Sequence, residues 1–218
     1  MKTILCFGDS NTWGYDAAGT AATGVLQRHS PDARWPGVLA RELGPDFRVI
    51  EEGQNGRTTV HDDPFSICRN GRNYLPACLE SHKPLDVVVM MLGTNDLKTV
   101  FAASPAEIAS CAAMLAKIIL QSDAGIGWRP PQLLLISPPA VGDMSRAPDI
   151  AEKFADGAAR SRRLPERYAA VAAQLGCDFL DAQRVVTPSG HDGIHLEAAE
   201  HEKLGKAVAD AVRRMTCA

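Results

Sequence analysis

The sequence lacks the features that would place the protein on nucleic acid, in a membrane or in a secretory pathway. Its 23 basic and 26 acidic residues nearly cancel to a formal net charge of −3, so no basic excess is available to bind a phosphate backbone. No apolar run approaches the roughly 18–20 residues that a membrane span needs. The first apolar run, Ile4–Phe7, is also too short to form the core of a signal peptide. We therefore expect a cytoplasmic protein with no nucleic-acid or membrane partner.

Cysteine motifs are missing as well. The chain has six cysteines but no Cys-x-x-Cys pair, so it lacks a spacing typical of zinc-binding and redox motifs. Cys6 and Cys111 lie inside apolar stretches, where a free thiol behaves as a small core residue. We therefore expect free thiols rather than disulfides.

Five short apolar runs have the character of β-strands. They are Ile4–Phe7, Phe47–Glu51, Val87–Leu92, Leu133–Ser137 and Cys177–Asp181. Segments of helical period separate these runs, with apolar faces at 108–119, 168–175 and 204–215 and a shorter helix over about Ala33–Leu43. The alternation predicts an α/β doubly wound sheet. Because repeats and low-complexity tracts are absent, we expect a single domain over residues 1–218.

Three connections are long and rich in Gly, Pro, Asn and Asp. They are Asn11–Asp32, Gly53–Lys83 and Pro138–Asp149, and each follows a predicted strand. In open α/β sheets, ligands bind beyond the carboxyl ends of the strands, and long loops in compact domains are usually functional or disordered. We therefore predict a site built from the loops after the first, second, third and fifth strands.

Several familiar catalytic motifs are also absent. The chain has no Gly-x-Ser-x-Gly elbow, no Gly-x-x-x-x-Gly-Lys phosphate loop, no Gly-x-Gly-x-x-Gly after a strand and no His-Glu-x-x-His. What remains is a set of four polar clusters, each just past a predicted strand.

The first and last clusters contain a candidate nucleophile and a candidate base. Ser10 lies in a turn after Gly8-Asp9, where its hydroxyl can be presented at the edge of the sheet. Asp192 and His195 are three residues apart, so that an aspartate holding one ring nitrogen would leave the other free to accept a serine proton. The alternative is that Asp9, Ser10 and Asp192 only cap helices and that His195 is a surface residue. His191 is a second candidate base, but no aspartate stands three residues before it.

The two middle clusters could stabilise negative charge. Gly53 and Gly56, three residues apart, allow a sharp turn whose amides point into a crevice, although an ordinary loop has the same composition. Asn95 follows the most apolar strand and could donate a hydrogen bond to a reacting oxygen. Alternatively, Thr94, Asn95 or Asp96 caps a helix.

Taken in order, Gly8-Asp9-Ser10, Gly56, Gly93-x-Asn95-Asp96 and Asp192-x-x-His195 resemble the four sequence blocks of the SGNH hydrolase (GDSL esterase/lipase) superfamily. The resemblance spans essentially the whole chain. The stretch from Gly8 to Gly14, together with Glu51–Thr59, is most similar to the bacterial arylesterase and acyltransferase branch.

The resemblance implies a fold and a set of roles. The expected fold is a flavodoxin-like three-layer α/β/α sandwich around a five-stranded parallel sheet. Ser10 would be the nucleophile, His195 the general base and Asp192 the residue that orients it. The backbone amides of Ser10 and Gly56 and the side-chain amide of Asn95 would form the oxyanion hole.

The implied activity is that of a serine esterase acting on short-chain, acetyl-type carboxylic esters, aryl esters included, with acyl transfer to alcohols as a further outcome. A carbohydrate acetylesterase, a thioesterase and a lysophospholipase share the same blocks and stay open, and a non-catalytic module that binds a small anion is a more distant alternative. The reaction needs no metal or organic cofactor. The partner is a small-molecule ester, and related arylesterases imply a homo-oligomer, with an octamer as one form.

Two departures from the family pattern bear on substrate preference. The family has leucine after the serine, where this chain has Asn11, and its second block often opens with asparagine, where this chain has Glu51-Glu52. We predict that Asn11, Trp13 and Phe154 contact substrate. The other loop aromatics that could wall the site are Tyr15, Phe65, Tyr74, Phe101 and Trp128. Each of these aromatics could instead pack on its own scaffold.

Overall fold

A computed structural model describes residues 1–216 and contains one all-parallel sheet of five strands in the order β2-β1-β3-β4-β5. The strands are β1 (Lys2–Gly8), β2 (Phe47–Gly53), β3 (Val87–Met91), β4 (Gln132–Ser137) and β5 (Asp178–Asp181). This order is the flavodoxin-like one, and the predicted five-stranded parallel sheet is confirmed. Each strand lies within about two residues of its predicted bounds.

The described residues form nine α-helices. They are α1 (Ser10–Trp13), α2 (Ala17–Thr23), α3 (Trp35–Leu43), α4 (Gly71–His82), α5 (Pro105–Leu120), α6 (Pro148–Phe154), α7 (Gly157–Ser161), α8 (Leu164–Leu175) and α9 (Ala198–Thr216). Short 3-10 turns cover Asn95–Leu97, Thr99–Phe101, Ile126–Trp128 and Ala182–Arg184.

The apolar runs are continuous because both faces of the sheet are covered. Leu5 and Met90 face a core shared with α4, α5 and α8, whereas Cys6 and Val89 face a second core shared with α3 and α9. All four side chains are fully buried. Successive side chains of a strand point to opposite faces, so a strand between two helical layers needs apolar residues at every position.

The helix boundaries that the sequence marks are largely confirmed. Ser104 forms a capping box with Glu107 at the start of α5, and Gly176 ends α8 in the left-handed conformation at φ 68°. Helix α3 begins at Trp35, two residues after the predicted Ala33.

Two of the predicted long loops are wrong in part. The segment Gly53–Lys83 contains α4, which carries Gly71 at its first position and Pro76 in its interior. Because glycine and proline disfavour helix interiors, this composition indicates a loop, and only the burial of a narrow apolar face on the sheet overrides it. The segment Asn11–Asp32 likewise contains α2 and most of α1.

Cys6 is buried, and all five cysteines among residues 1–216 are free, whereas Cys217 lies outside the described residues. Within the described chain, no helix is both long enough and apolar enough to cross a bilayer.

Candidate active site

The hydroxyl of Ser10 lies at the carboxyl end of β1 because the chain turns directly out of β1 into α1. This turn needs glycine at position 8, since a Cβ there would lie 2.0 Å from Thr12 Oγ1 and 2.9 Å from the Met91 carbonyl oxygen. Asp9 caps α1 by accepting a hydrogen bond from the Asn11 amide at 3.0 Å. Asp9 is therefore a helix cap, and the same turn presents Ser10.

His195 and Asp192 reach the same edge from the loop that follows β5. One oxygen of Asp192 accepts the backbone amides of Ile194 and His195 at 2.9 and 3.0 Å, and the other lies 2.5 Å from His195 Nδ1. Because a carboxylate only accepts, Nδ1 carries the proton and Nε2 presents its lone pair. That lone pair faces Ser10 Oγ at 2.9 Å. The three side chains thus form one chain of hydrogen bonds.

The charge state of Asp192 suits this arrangement. Burial by itself would raise the pKa of its carboxyl, but the hydrogen bond and charge of His195, together with the two backbone amides, lower the pKa below its ordinary value. The carboxylate therefore stays ionised well into the acidic range. Gly193 permits the tight loop, since its φ is +71° and a Cβ would lie 2.6 Å from the Asp143 carbonyl oxygen.

Gly56 and Asn95 line the same cavity as Ser10 and His195. Asn95 Nδ2 donates one hydrogen bond to the Arg57 carbonyl at 3.1 Å, which holds the amide in place. Its second N–H has no partner in the described part of the chain. The loops after the first, second, third and fifth strands therefore meet as predicted. The segment after β4 also contributes, because it carries Phe154. Phe154 was predicted to contact substrate, but the segment after β4 was not among the loops predicted to form the site.

Sequence reasoning missed the structural role of Arg57. Its guanidinium is buried and donates to the carbonyl of Gly8 at 2.7 Å and to that of Glu52, so it ties together the ends of β1 and β2. It also lies over the rings of Phe7 and Tyr74, at 4.3 and 5.2 Å from their centroids. Nothing in the local sequence distinguishes this arginine from one on the surface.

A second missed feature is the buried carboxylate of Asp96. It accepts the Thr59 amide at 3.0 Å, the Thr59 hydroxyl at 2.5 Å and His61 Nδ1 at 2.8 Å. The side-chain hydrogen bond from His61 to Asp96 raises the pKa of that imidazole above its ordinary value. These contacts fasten the loop that carries Gly56 to the turn that carries Asn95. A polar residue directly after the most apolar strand is the one signal that could have indicated this role.

The cavity has a volume of about 370 Å³, and apolar and polar residues share its walls. The apolar ones are Leu26, Phe65, Val100, Ile150, Phe154 and Ile194. The polar ones, apart from those above, are Asn55, Asp63, Ser66, Lys98, Thr99 and Lys153. Tyr15 also lines the cavity and stacks on the His195 ring with centroids 4.1 Å apart, so it covers one face of the imidazole.

Of the three residues predicted to contact substrate, only Phe154 lines the cavity. Asn11 is buried, and its amide bonds the backbone on both sides of His195, to the Ile194 carbonyl at 3.2 Å and the Leu196 amide at 3.0 Å. The Arg28 guanidinium lies over the ring of Trp13, with its Cζ 4.7 Å from the ring centroid. Both side chains are engaged by the protein itself, and a substrate contact by Asn11 or Trp13 stays a prediction.

The remaining candidates also divide. Tyr15 and Phe65 line the cavity, whereas Tyr74, Phe101 and Trp128 do not. The rival base His191 is exposed and is not among the lining residues.

The raised pKa of the buried Asp9 carboxyl, next to Ser10, can be tested through the pH dependence of stability. Burial raises the pKa of its carboxyl from 3.8 to about 6, although the hydrogen bond from the Asn11 amide acts in the opposite direction. As the pH rises, the unfolded chain therefore loses this proton first, and the stability that the neutral carboxyl contributes below about pH 4 is lost by about pH 7. The difference between the two pKa values corresponds to about 3 kcal/mol. We expect the free energy of unfolding of the wild type, relative to Asp9→Asn, to fall by about that amount over this range.

Urea unfolding at several pH values measures this difference. The variant keeps a cap acceptor for the Asn11 amide, so its helix start is preserved. Asp46→Asn, on an exposed aspartate, is the control and should show no comparable trend. A difference between wild type and Asp9→Asn that stays constant with pH would contradict the assignment.

Comparison with known proteins identifies the fold and the family together. The native aryl esterase of M. smegmatis superposes with a TM-score of 0.93 at 42% identity, over 99% of this chain and 100% of that one. Est24, a carbohydrate acetylesterase from Sinorhizobium meliloti, superposes with a TM-score of 0.93 at 38% identity, over the same shares. A member of the lipolytic G-D-S-L family from Veillonella parvula, at 13% identity and TM-score 0.70 over 98% of this chain and 100% of that one, shares the fold. No curated protein matches the chain.

The fold and its near relatives define a class, the flavodoxin-like α/β hydrolases. The sequence model of the GDSL-like lipase/acylhydrolase family matches residues 6–203. The chain belongs to this family, which is the predicted SGNH hydrolase superfamily, and it is a carboxylic ester hydrolase.

Proposed function

We propose that the protein hydrolyses short-chain, acetyl-type carboxylic esters, aryl esters included, through an acyl-enzyme formed on Ser10. The observation that supports this most directly is the chain of hydrogen bonds from Ser10 Oγ through His195 to Asp192, with Ser10 and His195 lining the cavity. In the first step, His195 Nε2 takes the hydroxyl proton while Ser10 Oγ bonds to the ester carbonyl carbon. The negative charge then develops on the carbonyl oxygen.

That oxyanion would be bound by the backbone amides of Ser10 and Gly56 and by the second N–H of Asn95. Protonated His195 returns its proton to the leaving alkoxide, which departs as the alcohol. A water then enters, gives its proton to His195 and attacks the acyl carbon. As the second intermediate collapses, the bond between the acyl carbon and Ser10 Oγ breaks, His195 returns its proton to Ser10 Oγ, and the carboxylic acid is released. His195 is the side chain that accepts and returns the proton in both steps.

Asn95→Ala tests the oxyanion role. Removal of one donor that acts mainly in the transition state should lower kcat by about 100- to 1,000-fold while KM changes little. Steady-state kinetics on an aryl acetate measures both constants. Asn73→Ala, on an exposed asparagine of α4, is the matched control and should keep wild-type rates. A loss confined to KM would contradict the role.

The size and lining of the cavity support small acyl groups. A volume of about 370 Å³ lies at the lower end for small-molecule sites, and Phe154 and Ile194 narrow it. We expect kcat/KM on aryl esters to be highest for acetate and to fall as the acyl chain lengthens. A preference for long acyl chains, for acyl thioesters or for lysophospholipids would contradict this proposal. It would instead indicate a lipase, a thioesterase or a lysophospholipase of the same superfamily.

The apolar wall also supports acyl transfer to alcohols. Leu26, Val100 and Ile150 give an alcohol acceptor a surface on which it can displace water. Product analysis in water containing a small alcohol would measure the ratio of new ester to free acid. A ratio no higher than the molar ratio of alcohol to water would contradict this part of the proposal.

A second candidate function is the deacetylation of sugars, which Asn55 supports. Its side-chain oxygen is buried in the cavity wall and has no hydrogen-bond partner among residues 1–216. Rotation of this side chain would turn the oxygen toward the cavity, where a sugar hydroxyl could donate to it, whereas a simple aryl acetate could not. If acetylated sugars are substrates, Asn55→Ala should lower kcat/KM for an acetylated xylose by about fivefold to tenfold and leave aryl acetate hydrolysis unchanged.

Labelling with a serine-directed organophosphorus reagent separates an esterase from a binding module. The proposal requires one adduct per chain, located on Ser10 by peptide mass mapping. An unlabelled protein, or a label on another residue, would overturn the assignment of Ser10 as the nucleophile.

The mouth of the cavity supports the predicted homo-oligomer. Leu26 and Phe65 line the cavity with 56% and 85% of their surface exposed, and a second copy would cover such apolar side chains. Light scattering after size exclusion measures the subunit count, for which an octamer is one predicted value. A monomer at micromolar concentration would contradict this part. The cytoplasmic location stays a prediction.

A further inference from the structure

Three potential metal ligands converge beside the loop that carries His195. They are Asp16, His29 and Glu197, and the ligand atoms that they offer lie within 4.8 Å of one another. Asp16 directly follows Tyr15, which stacks on the His195 ring, and Glu197 stands two residues after His195. None of the three lines the cavity or takes part in the chemistry described above.

The tautomer of His29 exposes a lone pair to this cluster. Its side chain is only 9% exposed, and its Nε2 lies 3.2 Å from the Leu196 carbonyl oxygen. A carbonyl only accepts, so Nε2 carries the proton and Nδ1 of the neutral ring has a free lone pair. The Asp16 carboxylate lies 4.0 Å from Nδ1, which is too far for a hydrogen bond. Among the described residues, Nδ1 has no hydrogen-bond partner, so this acceptor faces a carboxylate with no proton between them.

Each carboxylate is held by one oxygen, and its other oxygen accepts no hydrogen bond within residues 1–216. Asp16 Oδ1 accepts the Gly19 amide at 2.8 Å, and Glu197 Oε1 accepts the Ser189 hydroxyl. The nearby Arg34 guanidinium donates a hydrogen bond to the His29 carbonyl oxygen at 3.1 Å, and its charge is paired with Glu51 at 2.8 Å. Metal-binding side chains are typically oriented in this way, with the imidazole N–H on a carbonyl and each carboxylate on a hydrogen-bond donor.

We propose that Asp16 Oδ2, His29 Nδ1 and a Glu197 oxygen bind one divalent cation of the zinc type. Two carboxylates and an imidazole form a donor set that Zn²⁺ accepts in tetrahedral geometry, with a water in the fourth position. Tetrahedral coordination at the usual bond lengths needs ligand atoms about 3.4 Å apart, so the gap between Asp16 and His29 would close by roughly half an ångström. The ion would link the segment that carries Tyr15 to the loop that carries His195, and it would take no part in the acyl transfer.

A rival cluster, Glu52, Cys78 and His82, supplies the internal control. Its ligand atoms are equally close, but His82 Nε2 already hydrogen-bonds Glu52 at 2.7 Å. A zinc ion bound there would have a thiolate ligand, so Co²⁺ substitution would produce a sulfur-to-metal charge-transfer band. The site that we propose contains only nitrogen and oxygen ligands and would produce no such band.

The experiment uses the untagged full chain, stripped of metal and then titrated with ZnCl2. We expect one Zn²⁺ per chain after equilibrium dialysis, and a rise in Tm of about 5–10 °C at roughly 100 times the dissociation constant. His29→Gln keeps a donor for the Leu196 carbonyl, and Asp16→Asn keeps an acceptor for the Gly19 amide. Both should weaken zinc binding about tenfold or more, whereas His82→Gln should bind zinc like the wild type.

Zinc binding that survives both His29→Gln and Asp16→Asn would overturn the proposal, as would loss of binding in His82→Gln or a Co²⁺–thiolate band. The proposal would also be overturned if the wild type bound no zinc and its Tm did not rise. His29 and Asp16 would then be neighbouring side chains without a ligand. Because Ser10 and His195 are untouched, esterase activity of the metal-free protein reports separately on the proposed function.

Discussion

Ser10→Ala is expected to lower kcat on an aryl acetate by about a millionfold, the loss seen when other serine hydrolases are deprived of their nucleophile. The physical reason is that the reaction then has no atom that can form the acyl-enzyme, and His195 Nε2, which lies 2.9 Å from Ser10 Oγ, has no proton to accept. Burst kinetics should disappear as well. The residual rate would come from the oxyanion donors acting on an attacking water.

The matched control for this variant is Ser66→Ala, a second serine of the same cavity wall that makes no hydrogen bond to His195. Loss of one small hydroxyl should shift Tm by no more than about 4 °C, so a folded but inactive protein is the expected outcome. If Ser10→Ala keeps more than a few per cent of the wild-type rate, another residue is the nucleophile.

Asp192→Asn is expected to lower kcat by about 10⁴-fold, because the amide would select the wrong tautomer of His195. An asparagine that keeps its oxygen on the backbone amides of Ile194 and His195 must turn its NH2 group toward Nδ1. Nδ1 would then accept, Nε2 would carry the proton, and no lone pair would face Ser10. Stopped-flow acylation with an aryl acetate measures this loss directly.

The pH dependence separates this explanation from a loss of folding. The pKa of Asp192 is lowered in the folded protein, so its carboxylate contributes stability above its ordinary titration range, and that stability is lost only as the pH falls through the lower value. Asp192→Asn should therefore be less stable than the wild type at neutral pH, with the difference shrinking in acid. Asp46→Asn, on an exposed aspartate whose side chain makes no hydrogen bond among the described residues, should change neither quantity. Less than a tenfold loss of kcat in Asp192→Asn would contradict the orienting role.

Asn11 shows that a departure from a family pattern can have a structural role. The polar residue after the serine suggests a substrate contact, yet its amide bridges the Ile194 carbonyl and the Leu196 amide. It thereby fastens the His195 loop to the helix that begins at Ser10. A leucine at this position could make neither bond.

The sequence by itself determined the sheet and indicated the candidate reacting groups. Its continuous apolar runs require a layer of helices on each side, and glycine, proline and serine mark the ends of α5 and α8 because these effects act over only a few residues. The order of the four polar blocks indicated which side chains meet, since the carboxyl ends of parallel strands share one edge.

Only the tertiary structure decided what surrounds those groups. The burial of Arg57 and Asp96, the stacking of Tyr15 on His195, the helix α4 over Gly71–His82 and the approach of His29 to two carboxylates all join residues that are distant in the chain or override local propensity. Such contacts depend on how helices and loops pack against a finished sheet. No pattern within a single segment contains that information.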